Sequence, residues 1–307
     1  MDPSLEYRIV DVFTDQAYAG NPLAVVLGAD ELTDDQLQRI AREFHLSETA
    51  FPMEPTPDQR ARGVAYRLRI FTPDVELPFA GHPSVGTAWL MAQLGRVAAG
   101  RIVQACVAGE LPLSVSAAGG PVELTGGVPT ASAPVDPAPF LAAVGLTAAD
   151  LAGTGTAAET DLHPPRVCGT GLGFAILPVR PDALARCSPD LALLGAFAHE
   201  KSEATGVYVV AWDPATKTAR ARMFAGDVGV AEDAATGSAA LAYGVWLVAS
   251  GLLLESTSYV VTQGVEMGRP SILTCSVDVT DGRAIEVRVR GNVVPIAEGR
   301  ITPPRPR

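Results

Sequence analysis

The sequence predicts an α+β protein built from two related halves. Three observations carry this: many short β-branched runs with few helical patterns, a composition break near the middle, and a strand–loop–helix segment that occurs twice. At 307 residues the chain is long enough for two domains with cores of their own. Residues 1–120 are assigned to the first domain and 121–307 to the second, with the option that the last strand returns to the first.

Tyr7 to Phe13 reads as a strand, and Ala19-Gly20-Asn21-Pro22 is turn chemistry before a second strand from Leu23 to Leu27. Thr33 with Gln36 forms a capping-box pattern opening a helix, whose Leu37, Ile40, Ala41 and Phe44 fall on one stripe. The helix ends near His45, and Glu48 leads into a strand from Thr49 to Met53. Tyr66 to Phe71 is the next strand, with Thr72-Pro73-Asp74 as its turn. Phe79 to Ala88 reads as a Gly-rich loop, with a helix over Gly86 to Leu94. Strands return at Ile102–Val107 and Leu111–Val115.

From Ala117 to Pro139 the composition shifts to Gly, Pro, Ala and Ser, marking the boundary. Asp136-Pro137 opens a helix through Phe140, Leu141 and Val144, and a second short one follows Thr147. Gly173–Val179, Gly206–Trp212 and Arg220–Phe224 are strands. A second loop, Glu232 to Ala239, precedes an apolar stretch from Ala239 to Leu254, read as a fully buried helix and too short for a membrane span. Tyr259–Thr262, Ile272–Val277, Ile285–Val289 and Val293–Ile296 close the chain as strands.

The two segments can be laid in register. Arg69-Ile70-Phe71 leads to Gly81 as Arg222-Met223-Phe224 leads to Asp233, and Gly86-Thr87-Ala88 matches Gly237-Ser238-Ala239. If the copies face each other, one ligand site is expected between them.

Composition narrows the function. A hydrophobic content of 48% with 19% charged residues describes a globular protein, and the net charge of −11 argues against nucleic acid as a partner. The N-terminus lacks an apolar signal segment, so a cytoplasmic location without membrane association is expected. Cys106, Cys168, Cys187 and Cys275 form no Cys-x-x-Cys pair and have no histidine at metal spacing, which favours free, mostly buried thiols and no metal centre. Gly169 to Gly173 runs into a strand, so it is not a dinucleotide fingerprint. No cofactor is expected.

The candidate chemistry lies in the loops. Glycines 81, 86 and 237 let backbone approach a ligand, and Thr87 and Ser238 are expected at helix N-termini, where hydroxyls and free N–H groups bind a small carboxylate. Glu48, on a turn between helix and strand, is the candidate general base and acid. His82 and Asp233 are the other ionisable candidates, and Asp233 beside Glu232 is ambiguous because neighbours on extended backbone point apart. Asp74, Glu76 and Asp227 read as turn or edge residues. Lys201 and Lys217 have polar, surface-like settings.

At this point the chain resembles a known family. Asp11-Val12-Phe13-Thr14, Gly20-Asn21-Pro22-Leu23-Ala24-Val25-Val26, Leu46-Ser47-Glu48-Thr49, Arg69-Ile70-Phe71-Thr72-Pro73 and Phe79-Ala80-Gly81-His82-Pro83 look like the PhzF-like proteins, the phenazine-biosynthesis isomerases. So do Arg222-Met223-Phe224-Ala225, Glu232-Asp233-x-Ala235-Thr236-Gly237-Ser238-Ala239 and Gln263-Gly264-x-x-Met267-Gly268-Arg269-Pro270-Ser271. The resemblance implies a diaminopimelate-epimerase-like fold of two pseudo-repeated domains, each a curled, mostly antiparallel β-sheet around a central helix, with the site in the cleft.

It implies cofactor-independent isomerisation of the kind performed on trans-2,3-dihydro-3-hydroxyanthranilate, with Glu48, His82 and Asp233 catalytic and Asn21, Gly81, Gly237 and Ser238 binding substrate. It also implies a homodimer. Related racemases carry two facing cysteines, whose positions the resemblance assigns to Gly81 and Asp233, so a two-thiol mechanism is not expected. Ala234 stands where the family usually has proline. Three functions remain open: an isomerase acting on a small cyclic or amino-acid-like carboxylate, an amino-acid epimerase or racemase, and a non-catalytic small-molecule-binding protein.

Overall fold

The computed structural model describes residues 4–117, 119–153, 163–199, 204–226 and 231–306. Asp227 and Lys201 lie outside them. The chain divides into two compact units: 1–125 with 290–307, and 126–289.

In the first unit Leu5–Val12 pairs antiparallel with both Val293–Ile301 and Asn21–Leu27. Asn21–Leu27 runs parallel to Glu48–Met53, which is antiparallel to Val64–Phe71. Val64–Phe71 is parallel to Gly100–Cys106, and the hairpin continues through Gly109–Val115 to Val122–Thr125. The helix Gly81–Gln93 touches the strands at both ends of this series, so the sheet curls around it. It is buried from Gly81 to Met91, because Val85, Ala88 and Leu90 leave it no polar face.

The outer face is covered by the helix Asp34–Phe44, which opens with both hydrogen bonds of the Thr33–Gln36 capping box. Leu37, Ile40 and Ala41 are buried against Val26, Phe51 and Phe71, with Phe44 at the margin.

The second unit repeats the scheme. Arg166–Gly169 is antiparallel to Gly173–Pro178, which is parallel to Val207–Asp213. That strand is antiparallel to Thr218–Phe224, which is parallel to Thr257–Gln263 and leads to Ser271–Thr280. The helix Gly237–Ala249 is buried from Gly237 to Val248 and touches strands at both ends of the series. The helices Ala138–Ala143 and Leu191–His199 contribute Phe140, Leu141 and Leu194 to a core on the other face. The predicted α+β class, two pseudo-repeats of curled sheet around a helix, is borne out. The short strand Arg166–Gly169 and the helix Leu191–His199 were not evident from periodicity.

The repeat holds in the hairpins and central helices, but in a different register from the one the sequence suggests. Phe71 pairs with Glu76, five positions on, and Phe224 with Glu232, eight positions on, so the second hairpin carries three extra residues. Both helices then begin five residues after the glutamate, at Gly81 and Gly237. Glu76 thus matches Glu232, Leu77 matches Asp233, Gly81 matches Gly237 and His82 matches Ser238. The helix ends agree as well. The N–H of Arg96 donates to Met91 O and that of Leu252 to Leu247 O, each one residue after a left-handed glycine, Gly95 and Gly251.

The predicted loop from Phe79 to Ala88 is therefore helix from Gly81 onward. Pro83 reads as a breaker, yet it sits in the first turn, where its missing N–H costs nothing. Thr87 lies in the helix interior instead of at the N-terminus. Gly86 serves packing, not ligand approach: a Cβ there would come within 2.7 Å of Leu23 Cδ2 and Val12 Cγ2.

Among the described residues no helix is long and apolar enough to cross a membrane, a statement about helices alone. The four cysteines are free, three of them buried. Burial pushes the Cys168 and Cys275 thiols up to about 12, which keeps both protonated packing groups.

Candidate active site

In the first unit three predicted residues converge. Gly20 takes a left-handed conformation, and a Cβ there would meet Val12 O at 2.4 Å, so only glycine delivers the chain to Asn21 in this way. Asn21 opens its strand and is buried. Two positions on, Leu23 pairs with Glu48 in the parallel ladder, which sets Glu48 at the start of its own strand near Asn21. The turn that brings it there, from left-handed His45 through Ser47, closes the preceding helix.

His82, second residue of the central helix, completes the group. Its Nδ1 lies 3.2 Å from Asn21 Nδ2, and its Nε2 lies 3.4 Å from Glu48 Oε2. Ser47 Oγ donates to Asn21 Oδ1 at 3.1 Å, which leaves the amide nitrogen facing the imidazole. An amide nitrogen only donates, so Nδ1 accepts and the hydrogen of the neutral ring sits on Nε2, the edge turned to Glu48. Burial pushes the His82 imidazole down to about 3, so it is uncharged at neutral pH. The Glu48 side chain is 14% exposed. The result is a carboxylate at the rim of a buried site, flanked at 3.4 Å by a neutral imidazole of fixed tautomer.

In the second unit Asp233 and Glu232 point apart, which resolves the ambiguity between them. Glu232 forms a two-pronged pair with Arg222 at 2.8 Å in each arm, and Arg222 stacks over Phe224 at 4.9 Å. Glu76 does the same with Arg69, at 2.7 Å in each arm, under Phe71 at 5.0 Å. These two glutamates staple the hairpins that lead into the central helices, so Glu76 is more than an edge residue.

Asp233 is left for other work: its Oδ2 accepts from Thr236 Oγ1 at 2.6 Å. Its carbonyl accepts from Gln263 Nε2 at 2.8 Å. Gln263 Oε1 accepts from the N–H of Thr236 at 3.2 Å and from Tyr208 OH at 3.1 Å. Gly237 and Ser238 follow as the first two residues of the helix, where backbone N–H groups have no intrahelical acceptor. Gly81 and His82 hold the same positions in the first unit. No group of three or more His, Cys, Asp or Glu side chains among the described residues is arranged to hold a metal ion.

A family model described as "Phenazine biosynthesis-like protein" matches residues 10–299. The chain belongs to this PhzF family. It is 35% identical to the trans-2,3-dihydro-3-hydroxyanthranilate isomerase of Pseudomonas aeruginosa, over 96% of this chain and 98% of that protein. A solved structure from the same organism, described as a predicted epimerase, is 34% identical and superposes with a TM-score of 0.80 over 97% of this chain and 99% of that one. A Bacillus anthracis phenazine biosynthesis protein of the PhzF family superposes with a TM-score of 0.81 at 24% identity, covering 97% of this chain and 99% of that one.

At the level of fold alone, a hydroxyproline epimerase from Agrobacterium vitis gives a TM-score of 0.65 at 13% identity over 97% and 91% of the two chains. This PhzF-family protein is an isomerase-class enzyme with the fold shared by PhzF proteins and proline racemases.

Several residues that support the Glu48 group or the Asp233 group of this PhzF-family chain were not singled out from the sequence. Ser47, Tyr208, Thr236 and Gln263 are polar residues whose partners lie elsewhere in the chain, and only the motifs containing Ser47, Thr236 and Gln263 hinted at them. The stretch from Gln263 to Ser271 proves to be a support for the Asp233 segment. Ser271 Oγ donates to Ala234 O at 2.9 Å, and Gly264 is left-handed at a place where a Cβ would stand 2.6 Å from both Ala234 O and Arg269 O.

Proposed function

We propose that this protein is a cofactor-independent isomerase in which Glu48 carries a proton between two carbons of a small cyclic or amino-acid-like carboxylate. The observation that carries the reading is the Glu48–His82–Asn21 arrangement, with His82 neutral and its N–H turned to the carboxylate. A base at a buried rim breaks a C–H bond, the electron pair moves into the neighbouring π system, and the proton returns to a different carbon of that system. A neutral imidazole 3.4 Å away leaves the carboxylate without the cationic partner that would quench it as a base. Asp233 is assigned as the second acid–base group. Asn21 and the N–H groups at Gly81, Gly237 and Ser238 are assigned to binding the substrate, as helix N-termini favour anions. By analogy with the P. aeruginosa relative, trans-2,3-dihydro-3-hydroxyanthranilate is the first substrate to try. We further assign the protein to the cytoplasm as a homodimer, and a concentration-independent monomer in sedimentation would remove the second part.

The solved structure described as a predicted epimerase favours a second reading, in which the proton returns to the same carbon. Incubation in deuterium oxide separates them by NMR: label at a shifted carbon marks isomerisation, and label at the α-carbon marks epimerisation. No exchange across a broad set of carboxylates would leave a binding protein instead.

A further inference from the structure

Beyond the assigned groups, the second unit contains a one-directional chain of donors ending on Asp233. Its direction is fixed by backbone groups that have no choice of role. The N–H of Thr236 can only donate, so the Gln263 atom 3.2 Å away is the amide oxygen. The carbonyl of Asp233 can only accept, so the atom 2.8 Å from it is the amide nitrogen. With the amide held in this orientation, Nε2 also donates to Thr236 Oγ1 at 3.0 Å. The Thr236 hydroxyl then directs its own hydrogen to Asp233 Oδ2 at 2.6 Å. Behind Gln263, the wholly buried Tyr208 donates its hydroxyl hydrogen to Oε1 at 3.1 Å. Gln263 is itself wholly buried.

We infer that Thr236 and Gln263 are positioning residues that present Asp233 as an oriented hydrogen-bond acceptor for the proton-transfer reaction, with Tyr208 fixing the amide from behind. This rests on the reading of Asp233 as an acid–base group and deepens it. The amide touches both ends of the Asp233–Thr236 turn and ties it to a strand thirty residues away in sequence. Each donor in the series strengthens the next, because an oxygen that accepts a hydrogen bond donates its own hydrogen more strongly. The carboxylate is thereby held in one rotamer, with Oδ2 occupied by the hydroxyl.

The test uses Thr236→Val, which removes the hydroxyl at nearly constant shape, and Thr236→Ser, which restores it. With trans-2,3-dihydro-3-hydroxyanthranilate as substrate, Thr236→Val is expected to lower kcat about ten- to a hundredfold with KM changed less than about threefold, as for loss of a hydrogen bond to a charged group. Thr236→Ser is expected to recover most of the rate. A readout independent of turnover is the carbon NMR titration of the Asp233 carboxyl, which should move to higher pH in Thr236→Val and return in Thr236→Ser.

Should Thr236→Val fold poorly, Gln263→Glu serves instead. It keeps the shape and the acceptor for Tyr208, cannot donate to Thr236, and is expected to move the same titration upward. An unchanged titration with unchanged kcat in both variants would overturn the inference. Absence of wild-type turnover on this substrate would count against the proposed function alone, since the NMR titration judges the donor chain by itself.

Discussion

His82 makes a quantitative prediction about acid. In the folded chain burial holds its imidazole near 3, whereas in the unfolded chain it returns to the ordinary value of 6.5. Between those limits the unfolded state binds a proton that the folded state refuses. Folding is therefore unaffected by this group above pH ~6.5 and loses stability as the pH falls below it, by up to about 1.4 kcal/mol per pH unit. At pH 5 the loss attributable to His82 is about 2 kcal/mol.

The perturbation is His82→Asn, which removes the titrating group and keeps a polar side chain. Urea unfolding of both proteins at pH 7 and pH 5 gives four stabilities. The variant costs stability at both pH values, because it disturbs the contacts to Asn21 and Glu48. The drop from pH 7 to pH 5 should nevertheless be about 2 kcal/mol smaller in the variant than in the wild type. Equal drops would mean that His82 titrates normally in the folded protein, and the neutral state derived for it would fail.

Other expectations follow from the same geometry. Glu48→Gln should lower turnover by ~10²–10⁴ or more while leaving ligand affinity, read by calorimetry, within a few-fold; retained activity would move the base to Asp233. Arg222→Met strands Glu232, whose side chain is 16% exposed, and should cost about 3–5 kcal/mol by chemical denaturation. Arg69→Met leaves Glu76 at 29% exposure and should cost clearly less, ~1–2 kcal/mol, so equal losses would contradict the burial argument. Gly264→Ala forces a Cβ to within 2.6 Å of two carbonyl oxygens at a left-handed position, and should cost about 1–3 kcal/mol and loosen the Asp233 segment. Unchanged amide exchange at Ala234 and Ala235 in that variant would refute the supporting role of the turn.

Local rules sufficed wherever the determining contacts were local. The Thr33–Gln36 box opens its helix because both of its hydrogen bonds span three residues. The apolar run after Gly237 is buried because no polar face exists to turn outward. The motifs around Glu48, His82 and Asp233 were visible as motifs, and the existence of a repeat could be read from Arg-x-Phe recurring before a Gly-bearing segment.

What the sequence by itself could not decide were distances across the chain. The repeat register depended on three extra residues in one hairpin, which near-equal spacing did not reveal, and Pro83 hid the start of the first central helix. The tautomer of His82 depends on Asn21, sixty-one positions away, whose amide is oriented by Ser47. Gln263 looks like any polar strand residue until the fold lays it across the Asp233–Thr236 turn. Periodicity encodes which side of an element is buried. Only packing decides which buried donor meets which acceptor, and the chemistry of this protein lies in those meetings.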